Sequence, residues 1–201
     1  MATAARAKIS RARQDAVDRQ RAARWTMGQR SPTPMSDAQI SAVVGMLNRR
    51  AVRYVVVGGV ASQLHGVPIE RTRDIDLVPE RAGDNLDALG LALNDLNARL
   101  WVGPHAPEGL PMTFDRISLG GIDGFLNLIT DHGPVDITYR PDGTEGYPDL
   151  ARSIVVISLG DEEVPVAALE DVVRSKEAAG RTKDLDALPK IRRFLRRRRG
   201  G

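Results

Sequence analysis

The sequence predicts an α+β domain, a mixed sheet with helices packed on it. Three observations carry this. Short β-branched or alternating runs at 54–57, 74–78 and 135–139 read as strands. Longer stretches with apolar residues at helical spacing, such as Ile40, Val43, Val44 and Leu47, fall between and around them. Breakers separate the two kinds of segment, among them Gly58-Gly59, Pro79 and Gly180.

The elements follow in order. Residues 1–24 are rich in Ala, Arg, Gln and Asp, which permit a helix but give it little to bury. Ser31-Pro32-Thr33-Pro34 is a breaker and a linker. Ser36 is suited to cap a helix over 37–50. Tyr54-Val55-Val56-Val57 is a buried strand that stops at Gly58-Gly59, and a short helix over 60–65 ends at Gly66. Asp74-Ile75-Asp76-Leu77-Val78 alternates polar and apolar, with Pro79 as its stop. Leu86, Leu89, Leu93 and Leu96 mark a helix over 84–97. Residues 114–119, 125–129 and 135–139 read as strands, the last two joined by the turn Asp131-His132-Gly133. A further strand is expected over 153–159 and another from 164 to 166. Helices over 167–179 and 185–199 close the chain, separated by Gly180-Arg181-Thr182-Lys183.

Composition removes several function classes. The 201 residues contain no cysteine, which excludes a disulfide scaffold, a thiolate metal site and a cysteine nucleophile. Three widely spaced histidines make no zinc-type pair. Apolar runs are too short to span a bilayer, and the basic N-terminus has no apolar signal core. A cytoplasmic protein with no membrane partner is the expectation. The net charge of +3 conceals an asymmetry. Residues 1–30 carry +6 and residues 190–201 carry +7, while 31–189 hold 24 acidic against 14 basic residues, −10. Basic ends of this kind either solubilise the chain or hold a phosphate backbone. Eight aromatic residues are too few for a base-stacking platform.

Chemistry concentrates in three places. On a strand, residues i and i+2 share a face, so Asp74 and Asp76 project together with Ile75 on the other side. Two such carboxylates repel unless a cation lies between them, and Mg²⁺ takes oxygen ligands which it shares with substrate phosphates. Asp136, flanked by Val135 and Ile137, supplies a third carboxylate on another strand. Three carboxylates on neighbouring strands suit two Mg²⁺ ions, with Mn²⁺ as the other candidate. A strand that ends in Gly58-Gly59 and runs into a helix exposes backbone N–H groups to an anion, and Ser62 adds a hydroxyl. There is no P-loop motif and no Gly-x-Gly-x-x-Gly after the first strand.

The pattern Gly58-Gly59, Asp74-Ile75-Asp76 and Asp136 resembles the nucleotidyltransferase superfamily of DNA polymerase β and the CCA-adding enzymes. The strings Val57-Gly58-Gly59-Val60-Ala61-Ser62-Gln63-Leu64-His65-Gly66 and Arg71-Thr72-Arg73-Asp74-Ile75-Asp76-Leu77 are similar to the AbiEii/MenT-type toxin nucleotidyltransferases. So is Lys176 followed by Ala179-Gly180-Arg181-Thr182-Lys183-Asp184-Leu185. The resemblance covers about residues 50–190 and does not include the basic ends.

With the linker and charge runs, a polymerase β-like core is expected over 36–166, after a basic extension over 1–35 and before C-terminal helices with a basic tail over 167–201. The resemblance implies a toxin of a toxin–antitoxin pair that moves nucleotides from an NTP to the 3′ acceptor end of tRNA, with an antitoxin as a partner. Asp74 and Asp76 would bind both metals. Asp136 would bind the catalytic one and help activate the attacking hydroxyl. Gly58, Gly59 and Ser62 would cradle the triphosphate, with Arg71 or Arg73 neutralising its charge. Lys176 would reach a phosphate oxygen, and Asp184 would orient Lys176 or the nucleotide. The same chemistry with another acceptor, an aminoglycoside-type antibiotic or a protein, is the first alternative. A non-catalytic nucleotide-binding module is the second.

Overall fold

The computed structural model describes residues 31 and 33–199. The expected helix-permissive segment at 1–24 and the +6 charge of residues 1–30 lie outside them. Helix α1, Asp37–Arg49, begins where Ser36 was expected to cap it. The Ser36 hydroxyl accepts from the Gln39 backbone N–H at 3.2 Å, and the Gln39 side chain accepts from the Ser36 N–H at 2.9 Å. This reciprocal pair satisfies two N–H groups that the first turn cannot pair internally.

The remaining elements are β1 (Tyr54–Val57), α2 (Gly58–Leu64), β2 (Ile75–Pro79), α3 (Gly83–Asp95), β3 (Arg99–Leu100), β4 (Leu110–Pro111) and α4 (Arg116–Gly120). Then come β5 (Phe125–Thr130), β6 (Gly133–Thr138), α5 (Tyr147–Leu150), β7 (Val155–Leu159), β8 (Glu162–Val166), α6 (Leu169–Ala179) and α7 (Thr182–Arg199). The eight strands form one mixed sheet in the order β4-β3-β5-β6-β2-β1-β8-β7. Pairs β2/β6 and β1/β8 are parallel, and the others are antiparallel.

The period-2 side-chain pattern of the central strands divides core from site. Ile75, Leu77, Val135 and Ile137 are essentially buried and belong to the hydrophobic core. The residues between them, Asp76 and Asp136, face the other way. Buried Asn85 on α3 ties β1 to β2: its carbonyl oxygen accepts from the Arg53 N–H at 2.7 Å, and its amide donates to the Arg53 and Glu80 carbonyls. Helix α6 packs against both α7 and α2.

Two expectations are corrected. Residues 114–119 do not form a strand. Asp115 accepts from the Ser118 N–H at 2.7 Å while the Ser118 hydroxyl accepts from the Asp115 N–H at 3.0 Å, and this cap starts helix α4. Local side-chain-to-backbone bonds outweigh a short alternating pattern. The glycine pair is not a loop before the short helix, because α2 begins at Gly58. Strands β3 and β4, two residues each, are too short to show any alternation. No helix among the described residues is long and apolar enough to cross a membrane.

Candidate active site

Backbone register builds the acidic wall. Asp76 on β2 lies beside Asp136 on β6 in the parallel ladder, and Asn127 on β5 lies opposite Asp136 in the antiparallel one. Asp76 is also opposite Val57, the last residue of β1. One row therefore crosses four strands, reading Asn127, Asp136, Asp76 and Val57, with Gly58 next in the chain. Asp74, two residues before Asp76, borders the same cleft.

The two glycines are required by what sits on them. Gly58 has φ +70°, and a Cβ there would collide with the Asp76 carboxylate. A Cβ on Gly59 would collide with the Thr72 methyl. The backbone at Gly58 thus lies against the Asp76 carboxylate at a distance that leaves no room for a side chain.

The opposite wall is basic and belongs to α6 and α7. Lys176 near the end of α6 and Arg181 just before α7 converge on Asp184, whose side chain is 1% exposed. Lys176 Nζ donates to Asp184 Oδ1 at 2.7 Å, and Arg181 Nε donates to Oδ2. Burial pushes this carboxyl up, but the two cations outweigh it and hold it below the ordinary value. A carboxylate held this way is an anchor: it fixes two cations at the cleft and leaves the cluster a net +1. Lys183 and Lys190 extend the wall along α7.

Between the walls lies a cleft of about 460 Å³. It brings together Gly58, Gly59, Arg71, Arg73, Asp74, Asp76, Asp136, Lys176 and Asp184, residues that span more than half of the chain. A smaller pocket of about 50 Å³ shares Gly58, Asp76, Lys176 and Arg181 with this cleft and is bordered also by Thr138, Thr144 and Ser175. Ser62 is not brought to the cleft. Its side chain is fully buried, and its hydroxyl donates to the Gly58 carbonyl at 3.3 Å inside α2. Arg71 borders the cleft while its guanidinium is engaged with Asp37 on α1. His65 packs as a structural residue, its Nε2 hydrogen-bonded to the Ala167 carbonyl at 2.9 Å.

Sequence reasoning missed Asn127, Thr72 and the role of Arg181, Lys183 and Lys190 as a wall. Asn127 left a signal: a polar residue inside Leu126-Asn127-Leu128, placed opposite Asp136 by the same turn that joins the two strands.

No protein-family model matches the chain, and no curated protein does. Solved structures do. The lincomycin-bound lincosamide antibiotic adenylyltransferase LnuA superposes with a TM-score of 0.56 at 13% identity, covering 80% of this chain and 98% of that one. The solution structure of the antibiotic-resistance factor ANT(2'')-Ia gives 0.53 at 15% identity, covering 79% and 83%. Its complex with adenylyl-2"-tobramycin gives 0.50 at 14% identity, covering 79% and 88%. The mixed sheet and the C-terminal helices match the fold of these nucleotidyltransferases.

Proposed function

We propose that the protein is a divalent-metal-dependent nucleotidyltransferase that adds nucleotides from an NTP to the 3′ acceptor end of tRNA, as the toxin of a toxin–antitoxin pair. The observation that carries the transferase reading is the pairing of walls: Asp76 beside Asp136 in one ladder, facing Lys176 and Arg181 across a cleft of nucleotide size. The tRNA acceptor and the antitoxin rest on the motif resemblance, and the basic face of α7 supports a polyanionic acceptor.

The donor set fits a hard cation. Asp74, Asp76 and Asp136 offer only oxygens, and Gly58 lacks the Cβ that would displace the Asp76 carboxylate. Among the described residues no three acidic or histidine side chains already converge as a metal cage, so the fit lies in donor chemistry and in the sheet face that Asp76 and Asp136 share, with Asp74 just before β2. Bound there, Mg²⁺ or Mn²⁺ would neutralise the carboxylates and the triphosphate.

The chain's own residues do the rest. Gly58 and Gly59 let the triphosphate lie against the backbone. Lys176 and Arg181, pinned by Asp184, draw its oxygens to the other wall. The 3′-hydroxyl oxygen attacks the α-phosphorus, and the bond from that phosphorus to the bridging β-oxygen breaks. Pyrophosphate leaves, and Asp136 is the group that takes the hydroxyl proton. Positioning and charge supply the catalysis, with no covalent enzyme intermediate.

A second reading changes the acceptor. LnuA and ANT(2'')-Ia, which share the fold, are an antibiotic adenylyltransferase and an antibiotic-resistance factor, and this favours a small-molecule hydroxyl instead. One experiment separates the two. The protein is incubated with each labelled NTP, a divalent metal, and either total tRNA or a panel of lincosamides and aminoglycosides. Label on tRNA supports the first reading, and label on a drug supports the second. Label on neither, with nucleotide binding intact, sinks both.

A further inference from the structure

We propose that Asn127 is a positioning residue that orients Asp136 for a divalent cation, an inference resting on the metal-dependent reading above. Asparagine is a poor strand former, yet Asn127 sits in β5 between two leucines and is 4% exposed. It is not needed to fill the core, since it lies on the cleft face of the sheet. Its amide N–H donates to Asp136 Oδ1 at 2.6 Å, in a side-chain bond between directly paired residues of neighbouring strands. That bond fixes the rotamer of a carboxylate whose other ladder neighbour is Asp76.

The other end of the amide is the second observation. Asn127 Oδ1 is the one buried side-chain acceptor among the described residues without a hydrogen-bond partner. Turning the amide so that its nitrogen faces a carboxylate leaves its oxygen without a donor. A hydrated cation held by the carboxylate row would offer O–H donors of the kind this oxygen lacks. The unsatisfied acceptor would then be a cost that metal loading relieves.

A structural tie between β5 and β6 would predict something else, and the full-length chain separates the two. Mn²⁺ binding is measured by paramagnetic resonance with a non-hydrolysable NTP analogue present, alongside the melting temperature of the metal-free protein. Asn127→Leu keeps the volume and removes both polar ends. It is expected to bind Mn²⁺ about 10–100-fold more weakly, with a melting temperature no lower than wild type. Asn127→Thr, which retains a donor on a residue that favours strands, stays closer to wild type than to the leucine variant. Should the leucine variant not melt cooperatively, Asn127→Ala carries the same expectation for Mn²⁺.

Asp76→Asn marks the site itself. If it loses the ion while Asn127→Leu binds as wild type does, the positioning role is overturned and the metal site stands. If wild type binds no Mn²⁺, or Asp76→Asn binds it undiminished, the metal reading falls and this inference falls with it.

Discussion

The two walls of the cleft are built by different means. The acidic wall is set by the main chain: ladder register puts Asp76 beside Asp136, and no side-chain contact is required to bring them together. The basic wall is set by side chains: two helices meet at a buried aspartate that gathers Lys176 and Arg181. A wall made by register tolerates loss of one of its charges, because the hydrogen-bonded sheet remains. A wall made by ion pairs does not, because the charge removed is also the fastener. The same kind of substitution should therefore affect chemistry on one side and stability on the other.

The largest effect is expected on the acidic side. Asp76→Asn keeps the size and removes one charge from the row, so transfer should fall by about 10³-fold or more. The melting temperature should change less than in Asp184→Asn, since the ladder that sets this wall does not depend on the charge. Labelled-nucleotide transfer and thermal melting, run on one preparation, check both. A variant that unfolds would mean that the carboxylate row holds the sheet together, and the contrast between the walls would fail.

Asp184→Asn reverses the pattern. Removing the shared partner leaves Lys176 and Arg181 without their counter-charge, which costs about 3 kcal/mol, the low end for a buried pair because both cations keep some solvent access. The pH dependence has a definite sign. Asp184 titrates below its ordinary value of 3.8 in the folded protein, so it binds a proton less readily there than in the unfolded chain. Its stabilisation is present above that value and is lost as pH falls through the lower, folded value. Denaturant melts at neutral pH and at pH below about 4 should show wild type losing stability towards the variant as acid is added. Parallel curves would remove Asp184 as the anchor.

Gly58→Ala tests where the two walls meet. The substitution places a methyl group against the Asp76 carboxylate and imposes a positive φ on a residue with a Cβ, a penalty of about 1–3 kcal/mol. Both stability and transfer should drop, in contrast to Asp76→Asn. Loss of stability with transfer untouched would show that the close approach serves only the fold.

The contrast also explains what the sequence reveals. The acidic wall was legible as two faces, because alternation is local: Asp74-Ile75-Asp76 and Val135-Asp136-Ile137 announce theirs within three residues, while the parallel pairing of β2 with β6 joins segments far apart in the chain. The helical wall was legible only in part. That Lys176 and Asp184 belong together came from a motif resemblance, and their bond depends on how α6 and α7 pack, which no window of sequence shows. Ser62 was misplaced for a related reason. Its helix begins two residues earlier than the apolar pattern suggests, which turns the hydroxyl back onto Gly58 and away from the cleft. Residues 114–119 read as a strand because an Asp115–Ser118 cap imitates a polar-apolar alternation.

The smallest effect concerns how far the basic wall reaches. Lys183, Lys190 and Arg197 recur every seven residues and share one side of α7, with Arg193 beside them. The opposite side is tied to α6 through Arg192–Glu177 and Arg199–Glu170. Among the described residues Lys183, Lys190, Arg193 and Arg197 pair with no acid, so the cleft continues outward as a basic ridge. A long polyanionic acceptor would lie along this ridge, whereas a small molecule would not reach it. The double substitution Arg193→Ala with Arg197→Ala leaves the cleft intact and should leave NTP binding and the melting temperature unchanged. For a tRNA acceptor, affinity should weaken by only a few-fold at moderate salt. The slope of log affinity against log salt should become shallower by about 0.7–0.9 for each phosphate that the variant no longer neutralises. An unchanged slope would confine the acceptor to the cleft, and the antibiotic-type reading would then have the stronger claim.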